Sequence, residues 1–203
     1  MTIISRRMIH PANGKTEAAT AHAKTLCQHM NQLGTKTRLL KVIMGADVGS
    51  LELFARYDSF SEGVGSFQSL GASEQIKSAR AELEDGKTAT MIGPYVYRTV
   101  FGEPTAQPIL VQRMYQISRT HLKAAMALLP EAKSAFGSDT GMSAVVPVFA
   151  PEMDRLVINY YMNSMQDLGK ELDEGAMSAA FQNVVTKAAA LGNLITGRVL
   201  AMV

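Results

Sequence analysis

The chain has 203 residues, of which 20 are basic and 18 acidic for a formal net charge of +2, and 47% are hydrophobic; this composition suits a folded core and excludes a disordered chain. No run of Lys or Arg is long enough to follow a phosphate backbone, so nucleic acid is not an expected partner. No stretch approaches the roughly 20 apolar residues of a membrane span, and Cys27, the single cysteine, has no partner for an internal disulfide.

The opening MTIISRRMIHPANG has a short apolar run with its arginines after it, unlike a secretory leader, so a cytoplasmic protein is expected. Thr2 to His10 reads as a strand closed by the Pro11 to Gly14 turn. From Thr16 the apolar positions Ala19, Ala23, Leu26, Cys27, Met30 and Leu33 make one helical stripe that stops at Gly34. Cys27 lies in that stripe, which assigns it to the core. Lys36 to Met44 and Ser50 to Tyr57 are β-like runs joined by a hairpin-length connection, Gly45 to Gly49. A second helix opens near Ser61 and Glu62, with Gly71 as a point of interruption, and ends at Gly86. Thr88 to Phe101 is a strand whose Pro94 predicts an edge or a bulge.

Gly102 to Pro108 has linker composition, and after it the order repeats. Ile109 to Ile117 is a strand, Arg119 to Phe136 a helix bent or ended at Pro130, and Met142 to Phe149 with Arg155 to Tyr161 a hairpin. Gln166 to Leu191 is a helix and Asn193 to Val203 a last strand. Arg7 then falls on Arg113, Tyr57 on Tyr161 and Arg98 on Arg198 at offsets of 106, 104 and 100. The expected fold class is α+β: two tandem ferredoxin-like βαββαβ repeats, residues 1–102 and 108–203, with antiparallel sheets packed face to face as an α/β barrel.

In this element order the chain resembles the dimeric α/β-barrel superfamily, with NIPSNAP-type proteins, antibiotic-biosynthesis-monooxygenase-like proteins and haem-binding chlorite-dismutase relatives among its members. The segments Arg7 to Gly14 and Arg113-Met-Tyr115 are similar to NIPSNAP-type openings. The resemblance implies a pocket between the two sheets and a homodimer. A small-molecule-binding protein is the first functional expectation; a cofactor-independent monooxygenase or isomerase acting on a small aromatic or polyketide-like substrate, or a structural, partner-binding protein, are the alternatives.

Strand alternation offers two sets in each opening strand. Ile4, Met8, Leu110 and Met114 are assigned to the helix side, which sends Arg7 and Arg113 into the space between the sheets. Buried arginines need a carboxylate, a carbonyl or a bound anion, so both are candidate ligand-binding residues. Tyr57 and Tyr115 join them as phenols on strands, and His10 as a group at the end of the first strand. No metal site is expected, because His10, His22, His29 and His121 lack ligand spacing. No cofactor is expected, and no histidine falls in a haem-ligand motif. Nucleophile elbows, phosphate loops and dinucleotide fingerprints are missing from the sequence, and the 13 methionines form no Met-x-x-Met series.

Overall fold

The computed structural model describes residues 2–203. Among them run β1 (Ile3–Pro11), α1 (Thr16–Gln32), β2 (Lys36–Gly45), β3 (Leu51–Tyr57), α2 (Phe60–Ala72), α3 (Glu74–Leu83) and β4 (Ala89–Gly102). The order then repeats as β5 (Ile109–Ile117), α4 (Leu122–Ala127), α5 (Leu129–Ser134), β6 (Gly141–Phe149), β7 (Arg155–Met162), α6 (Met165–Lys170), α7 (Ala179–Ala189) and β8 (Gly192–Met202). The fold is α+β. It divides into two compact units: residues up to Arg98 with Val148–Ala150 and Met202–Val203, and Thr99–Pro147 with Pro151–Ala201.

In the first unit the antiparallel order is β4-β1-β3-β2, and in the second it is β8-β5-β7-β6. Both are ferredoxin-like, the opening strand lying between the third and fourth of its repeat. Helix starts repeat as closely as strands do. Ser59 caps α2 by accepting from the Glu62 amide, and Ser164 caps α6 by accepting from the Asp167 amide. Ser73 likewise caps α3 at Ile76, and Ser178 caps α7 at Phe181. Each pair of serines is 105 residues apart.

The pairing register corrects the repeat alignment. Ile3 faces Tyr57 while Ile109 faces Met162, so Tyr57 corresponds to Met162 and not to Tyr161. Arg6 faces Tyr95 and Gln112 faces Arg198, so Arg198 corresponds to Tyr95 and not to Arg98. Pro94 lies in the register shift between Arg6 and Met8, as its missing amide requires. Gly93 beside it is obligatory: at φ +107 a Cβ would sit 2.8 Å from the Arg6 carbonyl oxygen.

The expected long helices are interrupted. Pro130 starts α5 after a break at Leu128, and Ser73 ends α2 and caps α3. The last helix of the second unit gives way to a π turn over Glu171–Gly175 before Ser178 restarts it as α7.

The sides of the opening strands are also reversed from expectation. Ile3 and Ile9 pack with Ala19, Ala23, Leu26 and Met30 of α1, so the odd-numbered residues of β1 face the helices. Ile109, Val111 and Ile117 do the same in the second unit. Arg7 and Arg113 therefore lie on the helix side, and Ile4, Met8, Leu110 and Met114 do not. Alternation could not choose, because both faces of these strands are buried and each face of β1 carries one arginine.

Candidate functional site

The two adjacent arginines of β1 point to opposite faces and meet different chemistry. On the helix-free face, Arg6 donates from Nε to Glu52 Oε2 at 2.8 Å and from Nη2 to Glu52 Oε1 at 2.6 Å. Burial opposes the Arg6 charge, but the Glu52 carboxylate outweighs it and holds the guanidinium pKa above its ordinary value. This is a bidentate pair buried at both ends, Glu52 being 1% exposed.

Arg7, equally buried at 7% exposure, has no such partner among the described residues. Its one hydrogen bond runs from Nη1 to the Ser5 hydroxyl at 3.4 Å. Burial pushes its pKa below the ordinary value, and Arg80 pushes the same way against Tyr57 and Glu84. The guanidinium lines a cavity of about 300 Å³ under α1, α2 and α3. Leu26, Met30, Leu70 and Ile76 form its apolar wall, and Lys77, Arg80 and Glu84 of α3 supply the charged groups. Lys77 Nζ donates to Glu74 Oε1 at 2.6 Å, and Arg80 Nη2 lies 3.6 Å from Glu84 Oε1. Both pairs are largely exposed, so they hold their charges loosely. A cavity of this size with one buried cation and an apolar wall matches a small-molecule pocket.

The second unit keeps the arginine and fills the space. Arg113 stands 5.9 Å from the centre of the Phe181 ring, a cation–π contact. Phe181 in turn meets Phe136 edge to face at 4.9 Å, and Phe136 meets Tyr160 at 4.9 Å. What remains is a void of about 40 Å³, lined by Tyr115, Leu129, Val184 and their neighbours. Burial, with Tyr115 adding to it, raises the Tyr160 phenol well above its ordinary value. By the 105-residue offset, Ile76 corresponds to Phe181 and Arg80 to Val185.

The other sequence candidates lie outside the Arg7 cavity. Tyr57 packs in the first core beside Gly63 of α2 and reaches Arg7 only electrostatically. His10, at the end of β1, shares a 2.9 Å hydrogen bond between Nδ1 and the Ser50 hydroxyl. Sequence reasoning missed Lys77, Arg80, Glu84 and Ile76. The available signal was the repeat itself, once aligned at the capping serines: the first unit has a small apolar residue and a cation where the second has Phe181 and Val185.

The helix-free face of the second unit carries a buried polar row. Arg198 donates to Gln112 Oε1 from Nε at 3.0 Å and from Nη2 at 2.6 Å, and Gln112 Nε2 donates to Asn159 Oδ1 at 2.9 Å. Asn159 Nδ2 reaches Ser143 Oγ at 3.5 Å, and Ser143 and the Tyr161 phenol share a 2.9 Å bond. A haem does not fit the helix-side cavities of either unit: no histidine lines them among the described residues, and the second is far too small. No group of three or more His, Cys, Asp or Glu suited to a metal occurs among the described residues. No helix there is long and apolar enough to cross a membrane.

No protein-family model and no curated protein matches the chain. Solved structures do. A candidate monooxygenase of Fusobacterium nucleatum superposes with a TM-score of 0.68 at 7% identity, covering 99% of this chain and 92% of its own. The chain shares its α+β fold. An anthrone oxidase-like protein superposes at 0.65 with 11% identity over 100% of this chain and 91% of its own. A mutant chlorite dismutase of Candidatus Nitrospira defluvii gives 0.58 at 8% identity, over 100% and 90%. Identities this low carry the fold alone.

Proposed function

We propose that the chain is a small-molecule-binding protein whose ligand site is the Arg7 cavity of the first unit. The observation that carries this reading is an arginine, 7% exposed, whose guanidinium has one long bond to a neutral hydroxyl and which lines a cavity of about 300 Å³. A buried cation in such a setting is costly unless something completes its hydrogen bonding. The cytoplasm suits the buried free thiol of Cys27. The NIPSNAP-like affinity and a homodimeric assembly belong to the same reading, by likeness of fold. Native mass spectrometry of gently purified protein tests it. A mass above the 21.9 kDa chain or its dimer that disappears in Arg7→Ala supports the reading; bare chains, together with no thermal shift across a ligand screen, overturn it.

The second reading is cofactor-independent oxidation of an electron-rich aromatic, and the buried row from Arg198 to Tyr161 favours it, since such a row can orient a phenolate-like substrate. Two of the structural neighbours are named as a candidate monooxygenase and an anthrone oxidase-like protein. Oxygen uptake on addition of an anthrone would support this reading, and uptake unchanged by Tyr161→Phe and Gln112→Leu would remove it.

A further inference from the structure

We infer that the ligand of the Arg7 cavity is a monoanionic organic acid with an apolar body, an alkyl or aryl carboxylate, bound head-inward on the Arg7 guanidinium. This rests on the reading of that cavity as a ligand site. The charge follows from the wall: Arg7 lies inside, Lys77 and Arg80 lie along α3, and Glu84 is the one carboxylate among the lining residues. A cationic ligand would meet three cations, Arg7, Lys77 and Arg80, against the single carboxylate of Glu84. A neutral ligand would leave the guanidinium with only the Ser5 hydroxyl at 3.4 Å. A carboxylate instead offers two oxygens to the planar fork, the pairing that Glu52 already makes with Arg6 on the opposite face.

The single charge follows from the rest of the lining. Leu26, Met30, Leu70 and Ile76 supply no donor for a second ionised group, and on the α3 side Lys77 and Arg80 are already paired with Glu74 and Glu84, so a second carboxylate gains little there. A phosphate dianion has the same difficulty, with one buried cation to neutralise it. The second unit gives an internal comparison: Phe181, at the position of Ile76, occupies the space and covers Arg113 with its ring. The first unit therefore sets a buried arginine beside a cavity with an apolar wall, whereas Arg113 is half-buried against the Phe181 ring.

Calorimetric titration of the full chain at neutral pH with octanoate, 1-octanol, octylammonium and the dicarboxylate suberate tests the assignment. Octanoate is expected to bind at least about 10-fold more tightly than 1-octanol, the worth of a charge-assisted bond, with octylammonium and suberate weaker still. Arg7→Met is expected to bring octanoate down to the level of 1-octanol, while Arg7→Lys keeps part of the preference. Should Arg7→Met not fold, the comparison of ligands on the natural chain decides alone. If 1-octanol matches octanoate, the acid class is overturned and the cavity reading stands. If none of the four binds, and the screen of the proposed function also finds nothing, both fall.

Discussion

Arg7 and Arg113 hold the same place in two copies of one sheet, opposite Leu53 and Ile158 on the neighbouring strand, yet one faces a cavity of about 300 Å³ and the other a phenylalanine ring. The difference comes from the helix across from each arginine. Beside Arg7 stands Ile76, whereas Phe181 with Phe136 and Tyr160 fills the second unit. Duplication thus supplied arginines at two equivalent places, and divergence in the helices packed against them left the buried one, Arg7, on a cavity and the half-buried one, Arg113, under a ring.

Arg6 and Arg7 are expected to differ sharply in their cost to stability. Arg6→Met removes one end of a buried bidentate pair with Glu52, which costs about 3–5 kcal/mol. Arg7→Met removes one 3.4 Å bond and exchanges a buried, poorly satisfied charge for apolar surface, so it is expected to be neutral or to stabilise the unliganded chain by up to about 1–4 kcal/mol. Urea unfolding of the two variants measures both.

Ile76→Phe is expected to copy the second unit into the first. The added ring takes a part of the cavity and covers Arg7 as Phe181 covers Arg113, weakening octanoate binding at least about 10-fold with little loss of stability, within about 1.5 kcal/mol. The reciprocal change, Phe181→Ala, removes a side chain 3% exposed from an aromatic cluster and is expected to cost about 3–5 kcal/mol. Thermal denaturation and titration of each variant check the pair.

Alkaline stability should fall through two buried acids. Burial raises the Cys27 thiol above its ordinary value of 9.0, and burial also raises the Tyr160 phenol above its ordinary 10.0. Each folded group holds its proton more tightly than the unfolded one, so stability is fully present below pH 9.0 and falls as pH rises through the unfolded values. The midpoint of unfolding is expected to drop between about pH 9 and 11, less steeply in Cys27→Ala. The same burial leaves Cys27 unreactive toward a thiol reagent at neutral pH until the chain unfolds.

The polar row of the second unit is expected to be structural as well as chemical. Gln112→Leu takes the Oε1 acceptor from both Arg198 donors and the Nε2 donor from Asn159, at a cost of about 2–3 kcal/mol. Asn159→Leu, which removes fewer bonds to charge, should cost less. Chemical denaturation of the two variants ranks them.

Much of the fold was legible because periodicity changes cleanly along the chain. The apolar stripe from Ala19 to Met30, the hairpin turn at Gly45 to Gly49 and the bulge at Pro94 each follow from local chemistry. The side of the sheet taken by Arg7 did not follow. Ile3, Ser5 and Ile9 share its face, and Ile4 and Met8 share the other, so two buried faces left the pattern without a polar side to mark solvent. The offsets drift where conspicuous residues, Tyr57 with Tyr161 and Arg98 with Arg198, stand a few places away from their true counterparts, whereas the capping serines keep one spacing of 105. The cavity was out of reach for a further reason. It is lined by residues of α1, α2 and α3 that tertiary packing alone brings beside Arg7.

Methyl-resolved NMR during an octanoate titration tests the central claim most directly. Shifts are expected at Leu26, Met30, Leu70 and Ile76, which line the Arg7 cavity, with Leu129 and Val184 of the second unit unmoved. Shifts confined to Leu129 and Val184, or no saturating shifts at the four first-unit methyls, would contradict a ligand site at Arg7.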